Sequence, residues 1–454
     1  MKAYFFFIPI AAIFTSVSAQ DQIPTTPDSL MQHLQEVIVT ARQPSTRLVG
    51  STLVSTIPGT PLADLGSAID VLAQLPMIQV TDGEVSVTGK SNVEIYIDGR
   101  PLRDVSELQH MLSSNLRKVE LLMAPGAAYS STTGAVIRIS TRRNFMPGLS
   151  VSDQFQLERR RRWSVMDFLN LSYRTGRWEL FAEGTINRNN SLAKGSTVNT
   201  LMYDGRETTV GSTQHNSFPT TAGVVKAGLN YAAGAQSLGA YYRFNPERGD
   251  FNNTGTEWLD NEPALRREID KRVSAHSHLA SLYYENTFAD KYLLHFDGDF
   301  RRSADRGRVA TTYPESSAAT DVISADHRSS TLWAGKLYLS FPLRKGDITL
   351  GTQDSYTHTT LDYRMLNAAV GQYIPSSLTS ARQTSAALFA SWAATFGRLS
   401  LSAGARYEYV DYDFTVDGCR DDDVSRRDNM LTPDISVGYT FGRDAELNLS
   451  YKMT

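Results

Sequence analysis

The chain has 454 residues, more than one small domain needs, with 45 Lys and Arg against 48 Asp and Glu for a net charge of −3. That near balance gives no sign of a nucleic-acid partner, and the single cysteine, Cys419, excludes an intrachain disulfide framework. The 21 Tyr, 19 Phe and 31 Gly suit strands and turns better than a helical bundle.

The first residues read as an export signal. Lys2 supplies a short positive region, Tyr4–Phe14 an apolar core, and Ser16-Val17-Ser18-Ala19 the small residues of a cleavage site before Gln20. The apolar run is too short for a membrane anchor, so residues 1–19 are expected to be a cleaved signal peptide. No cysteine near the cut supports a lipid-modified N-terminus. Residues 20–35 are polar and contain proline, and are expected to form a flexible tether. Glu36-Val37-Ile38-Val39-Thr40 lies within the β-prone run Leu34–Ala41. From its residues alone this run is either a strand offered to a partner's sheet edge or the first strand of the domain that follows.

The next hundred residues pattern as a small α+β domain. Leu65, Ala68, Ile69, Leu72 and Leu75 fall at helical spacing, which predicts a helix over Asp64–Leu75 that Pro76 ends. Ile78 and Val80 open an extended segment, and Val85–Val87 and Val93–Ile97 alternate as half-buried strands do. Asp98-Gly99 is a tight-turn signal. A second helix is expected over Val105–Leu112, and strands over Lys118–Met123 and Gly134–Ser140.

Three stretches here resemble the plug domain of TonB-dependent outer-membrane receptors: Asp70–Val80 (DVLAQLPMIQV), Ile95–Leu102 (IYIDGRPL) and Val119–Thr141 (VELLMAPGAAYSSTTGAVIRIST). LQEVIVTA is similar to the TonB box of such receptors of Bacteroidetes type, and order and spacing agree from residue 36 to residue 141. The resemblance implies that Glu36, Val37, Ile38, Val39 and Thr40 are the box. It implies a plug domain over residues 36–145, with Pro76, Asp98, Gly99, Pro125 and Gly134 as its motif positions and residues 20–35 as a periplasmic tether. Two positions depart from the family pattern. Met77 stands where a glycine usually follows the proline, and Gly134-Ala135 replaces the usual pair of glycines.

Residues 149–454 are repetitive. Segments of about ten residues alternate apolar and polar, as strands of a membrane barrel do with one face to lipid and one to the lumen. Tyr292, Leu294, Phe296 and Phe300 oppose His295, Asp297, Asp299 and Arg301, and Leu399, Leu401, Ala403, Ala405 and Tyr407 oppose Ser400, Ser402, Gly404, Arg406 and Glu408. The polar face is expected to meet water. Tight turns at Thr175-Gly176, Ala233-Gly234, Ala289-Asp290, Lys345-Gly346, Gly397 and Arg443-Asp444 alternate with expected long loops around 189–218, 247–272, 303–329, 359–383 and 412–430. The fold class is therefore mainly β: a transmembrane antiparallel barrel behind a small α+β plug. The pattern yields roughly 13 strands, against an even number for a closed bacterial barrel and about twenty-two for plugged outer-membrane transporters. A fragment or truncated product is the expectation that follows, together with Lys452-Met453-Thr454 in place of a terminal aromatic.

Few residues outside the motifs suggest chemistry. Arg159–Arg162 lie in the first barrel hairpin, where they would grip lipopolysaccharide phosphates, face the lumen or merely be solvated. His276 and His278 point to one side of a strand, but two ligands are weak evidence for a metal site. Asp417, Asp421, Asp422 and Asp423 match no calcium-loop spacing. No nucleophile elbow, zinc-protease or phosphate-loop motif occurs, so neither enzymatic activity nor a cofactor is expected. The resemblance implies active import across the outer membrane, with TonB as partner, lipid and lipopolysaccharide as surroundings, and an iron chelate, haem or oligosaccharide as ligand. A non-transporting adhesin or scaffold, or a non-functional truncated receptor, is the alternative.

Overall fold

The computed structural model describes residues 46–49, 52–81, 83–102, 105–130, 132–142, 147–159, 162–260, 262, 265–314, 321–441 and 445–453. The signal segment, the tether and the box Glu36–Thr40 lie outside the described residues.

Eight short strands build the N-terminal region: β1 (Thr46–Val49), β2 (Thr52–Thr56), β3 (Ile78–Thr81), β4 (Glu84–Val87), β5 (Val93–Ile97), β6 (Arg100–Pro101), β7 (Leu116–Leu122) and β8 (Ala135–Thr141). Six pair in the order β1-β2-β7-β8-β5-β6, while β3 and β4 form a separate hairpin. The β5–β8 pair is parallel. Helices α1 (Ala68–Ala73) and α2 (Ser106–His110) accompany them. Ile57, Val71, Leu72, Leu108, Leu116, Val119, Ile137 and Ile139 form a closed core between helices and sheet.

The helix expected over Asp64–Leu75 is shorter than its apolar spacing suggests. A 3-10 turn takes Pro61–Asp64, and α1 starts only at Ala68. Gly66 sits at φ +102°, a conformation that breaks a right-handed helix. Ser67 then caps α1: its hydroxyl accepts from the Asp70 amide while the Asp70 carboxylate accepts from the Ser67 amide. The second helix likewise contracts to five residues.

The rest is one antiparallel sheet in sequential order: β9 (Gly148–Arg159), β10 (Trp163–Thr175), β11 (Trp178–Tyr203), β12 (Arg206–Ala233), β13 (Gln236–Leu259), β14 (Leu265–Phe288), β15 (Tyr292–Thr312), β16 (Val322–Leu343), β17 (Gly346–Met365), β18 (Ser377–Phe396), β19 (Leu399–Val416), β21 (Arg426–Phe441) and β22 (Ala445–Lys452). The two-residue β20 (Cys419–Arg420) pairs only with β19, and a single turn, α3 (Ala368–Gly371), follows β17. Strands β9 and β22 each have one neighbour among the described residues.

The expected long loops are in large part strand. Residues 189–218 form a continuous β11–β12 hairpin that turns on Asp204-Gly205, both at positive φ, and β12 runs for 28 residues. The same extension takes most of 247–272, 303–329, 359–383 and 412–430 into β13–β21. A strand of 26 residues is about 86 Å long, and tilted by about 45° it rises about 60 Å, twice the hydrocarbon thickness. A bilayer would cover only about half of that rise, leaving the distal half outside it. There Thr, Ser and Asn sustain pairing with no apolar alternation to betray it.

Side chains alternate as the sequence indicates. Trp333 is 56 % exposed and Lys336 only 7 %. Aromatics on the outer face lie in two rows. Trp178 with Tyr231, Tyr292 with Phe341, Trp392 with Phe396 and Tyr439 with Phe441 flank the tight turns. Phe300 and Trp333 pack at a tilt with ring centres 4.3 Å apart further up, level with Tyr242 and Tyr356. Eight residues of β15 separate Tyr292 from Phe300. That is about 26 Å along the strand and about 20 Å in height, close to the apolar band of an outer-membrane barrel. No helix among the described residues is long and apolar enough to cross a membrane, which bears on helices alone.

Candidate functional site

The polar face of the sheet is not simply wet, as its alternation suggests. The α+β region covers part of it. His295 is 1 % exposed, Arg406 2 %, Asp297 3 % and Asp299 5 %. Burying charges at these positions requires partners, and the strands and the covering region supply them together.

Three lysines make the connection. Lys336 of β16 donates to the carbonyl of Ala128 at 2.7 Å, its ammonium standing 4.9 to 6.0 Å from the rings of Tyr96, Tyr129, Tyr338 and Phe389. Lys452 of β22 donates to the carbonyls of Ser130 and Thr133, both at 3.1 Å. Lys226 of β12 lies 3.3 Å from Glu107 of α2 and from Glu183 of β11. Asp434 of β21 accepts from the Ala127 amide. Gly126 and Gly404 leave space for that carboxylate: a Cβ on Gly404 would stand 2.5 Å from an Asp434 oxygen and 2.9 Å from the Ala127 Cβ. One loop, residues 125–133, thus meets three strands.

The motif residues explain how that loop is placed. Pro125, buried, opens it after β7. Gly134 closes it and donates to the carbonyls of Ser91 and Asn92, so near that a Cβ would stand 2.2 Å from Ser91 O. Asp98 and Gly99 form a turn at φ +49° and +85°. The Asp98 carboxylate accepts from the Thr141 amide at 2.9 Å and from the Thr141 hydroxyl at 2.6 Å, fixing β8 beside β5. Gly99 reaches the sheet, where a Cβ would lie 3.1 Å from His295 Cε1. His295 is held between Glu285 at 3.1 Å and Asp297 at 3.3 Å and stacks on Tyr338. Pro76 is exposed in the turn after α1, and Met77 beside it takes φ +67°. The departure from glycine there imposes a left-handed backbone on a methionine. Ala135, the other departure, is fully buried at the start of β8 with no such strain.

Within the loop region Tyr96 donates to Glu94 at 2.7 Å, Thr133 donates to the other Glu94 oxygen, and Tyr129 packs edge-on to Tyr96. Burial, reinforced by Glu94, pushes the Tyr96 hydroxyl far above its ordinary range, and burial raises Tyr129 against the pull of Arg138. Both remain neutral at any physiological pH. A polar cavity of about 940 Å³ lies beside α2, walled by Gln109 of that helix and by Asn187, Glu247, Arg301, Asp305 and Arg328 of the sheet.

The other candidates resolve differently. Arg159 lies over the Trp163 ring at 5.2 Å and Arg162 is exposed, while Arg160 and Arg161 are outside the described residues. His276 and His278 stand 5.6 Å apart on the outer face, His278 bonded to the Tyr242 hydroxyl at 2.6 Å. No group of three metal-binding side chains occurs among the described residues. Asp417 and Asp421 accept backbone amides, and Asp422 pairs with Arg420. Lys226, His295, Lys336, Asp434 and Lys452 are the residues that sequence reasoning missed. The alternating pattern marked their face without showing what covered it.

A long antiparallel sheet with an apolar outer face, and a separately cored α+β body seated on its polar inner face, defines the class of plugged β-barrels. The model of the family described as TonB dependent receptor-like, beta-barrel matches residues 212–453, and the chain belongs to that family. The family is one of receptors, not of enzymes. Solved structures are similar in fold. The ferric citrate transporter FecA in its unliganded form aligns over 87 % of this chain and 61 % of its own, at 12 % identity and a TM-score of 0.50. The ferric yersiniabactin uptake receptor FyuA from Yersinia pestis aligns over 87 % and 62 % at 18 % identity and 0.49. The closed form of the ferric-catecholate import receptor Fiu from E. coli K12 aligns over 89 % and 65 % at 11 % and 0.49. The chain thus spans less than two thirds of the length of each. No match is found among curated protein sequences.

Proposed function

We propose that the protein imports a scarce ligand across the bacterial outer membrane, drawing energy through TonB, with residues 36–145 acting as the gate. The observation that carries this reading is the way the plug is fastened. Loop 125–133 is held by backbone carbonyls bonded to Lys336 and Lys452, contacts that water can replace. Ligand would enter the polar cavity beside α2, and the box Glu36–Thr40, on its periplasmic tether, would pair with TonB as an added strand. Residues 1–19 would direct export, and residues 149–454 would lie in the membrane beside lipid and lipopolysaccharide. The box sequence favours a receptor of Bacteroidetes type. An iron chelate suits this reading, since FecA is a ferric citrate transporter; haem and oligosaccharide are the other classes to assay.

Deleting residues 34–41 tests it. Ligand uptake by cells should fall to background while surface binding of the same ligand persists. Uptake that survives the deletion overturns TonB-driven import through this box, and cells in which the intact chain binds ligand but supports no uptake would leave a surface scaffold.

A further inference from the structure

Beyond the upper aromatic row, the outer face of β13–β15 carries arginines that the sheet itself does not neutralise. Arg302, Arg306 and Arg308 share one face of β15 with Phe300, and all three are exposed. Register places Arg306 level with Ser274 and Arg248, Arg302 beside His278, and Arg308 directly opposite Arg272. His327 adjoins Arg306 from β16. Three carboxylates border the patch: Asp250, opposite Arg272, Asp270, 3.4 Å from Arg272, and Asp362, opposite His327 and paired with Arg364. Arg248, Arg302, Arg306 and Arg308 form no ion pair among the described residues.

Several other arginines at this end of the sheet are answered by aspartates. Arg364 pairs with Asp362, Arg427 with Asp411, Arg426 with Asp428 and Arg420 with Asp422. Arg302, Arg306 and Arg308 of β15 have no such partner among the described residues, and Arg308 stands directly across from Arg272, which Asp270 pairs. Like charges so placed destabilise a strand pair unless an anion lies between them.

We infer that this patch docks a multiply phosphorylated glycolipid of the outer leaflet, lipopolysaccharide in chemistry, by its phosphate groups. The heights select it. Taking about 3.3 Å per residue and a tilt of about 40°, Arg302, Arg306 and Arg308 stand about 5, 15 and 20 Å above the Phe300 level. A phospholipid presents its phosphate at one depth, next to the aromatic row. A ladder of guanidinium groups over that span fits anionic groups distributed along several sugar units, and guanidinium binds phosphate bidentately. The inference rests on an outer-membrane setting for the sheet and not on import.

The test uses the full chain, folded in outer membranes and extracted in mild detergent, with bound lipid read by native mass spectrometry. Wild type should retain a phosphorylated glycolipid, and R302Q/R306Q/R308Q should retain about tenfold less. R302K/R306K/R308K should fall between, having charge without the bidentate fork. Equal retention by wild type and the Gln triple overturns the inference. So does displacement of the glycolipid by phosphatidylglycerol vesicles, which would make the patch a phospholipid site. Heat-modifiable gel mobility reports folding of each variant. If the triple does not fold, the three single Gln variants are read the same way, and wild-type retention by all three is equally fatal. Deleting residues 34–41 should leave glycolipid retention intact, so loss of import and loss of docking are separately visible.

Discussion

Replacing Lys336 by methionine removes the ammonium and keeps most of the stem. The variant loses a charged hydrogen bond to Ala128 O, an interaction of about 1.5–3 kcal/mol. It also loses the attraction of the surrounding ring faces, about 0.5–2 kcal/mol. Relief of the cost of burying an ammonium offsets part of this, while Asp297 and Glu94, whose charges face Lys336, lose a compensating cation. A net loss of about 2 kcal/mol in the seating of loop 125–133 follows, or about 30-fold in its opening equilibrium. Hydrogen exchange reads this directly. The Tyr129 and Thr133 amides, which close turns on Gly126 and Ser130, should exchange about 30-fold faster. Amides of Val119 and Ile137, within the plug's own sheet, should keep their rates. A change below about threefold at Tyr129 and Thr133 refutes the latch. Equal acceleration at Val119 and Ile137 refutes it as well, since that would be general loosening of the domain.

Met77→Gly should stabilise the plug. A left-handed backbone costs a non-glycine residue about 1–2 kcal/mol, glycine's greater unfolded freedom returns about 0.5–1 kcal/mol, and Met77 is 41 % exposed, so little packing is lost. Slower exchange at Val71 and Gln74 by up to about tenfold checks it; faster exchange contradicts it. Gly134→Ala should cost about 3 kcal/mol, because its Cβ would stand 2.2 Å from a backbone oxygen that the same residue's amide binds. Protease cleavage near Ser91 and Thr132 measures the effect, and undiminished resistance rejects the argument.

Five of the plug's strands, β3, β4, β5, β7 and β8, were legible from short apolar alternation, whereas β1, β2 and β6 carried no pattern that sequence reasoning caught. Asp98-Gly99 is the clearest turn signal, two positive φ values read from two letters. The helix over Asp64–Leu75 was overextended because apolar spacing continues across Gly66, where the backbone does not. The barrel's lipid-facing half was equally readable, its alternation being imposed by two different solvents. Past the upper aromatic row, outside the bilayer, the pattern lapses, so the distal halves of β11 and β12 passed for loops. The site was least legible. Lys336 meets Ala128 across a separation of 208 residues, and nothing local to VISADHRSSTLWAGKLYLSFPL distinguishes that lysine from one facing water.

The kind of contact that seats the plug decides what moving it would cost. The plug has its own apolar core, from Ile57 to Ile139, which the sheet does not complete. At the inner face it offers carbonyls at Ala128, Ser130 and Thr133, an amide at Ala127 and the bare backbone of Gly99 and Gly126. The sheet answers with lysines, an aspartate and a histidine. Water can take the place of either partner in each pair, so the net worth of such a bond is about 1 kcal/mol, rising to about 3 where a charge takes part. An apolar seam of similar extent would instead lose about 25 cal/mol for every Å² wetted. A body that is internally apolar and externally polar can leave its seat without losing its fold, and the polar groups it uncovers at His295, Asp297 and Arg406 are ones that water solvates.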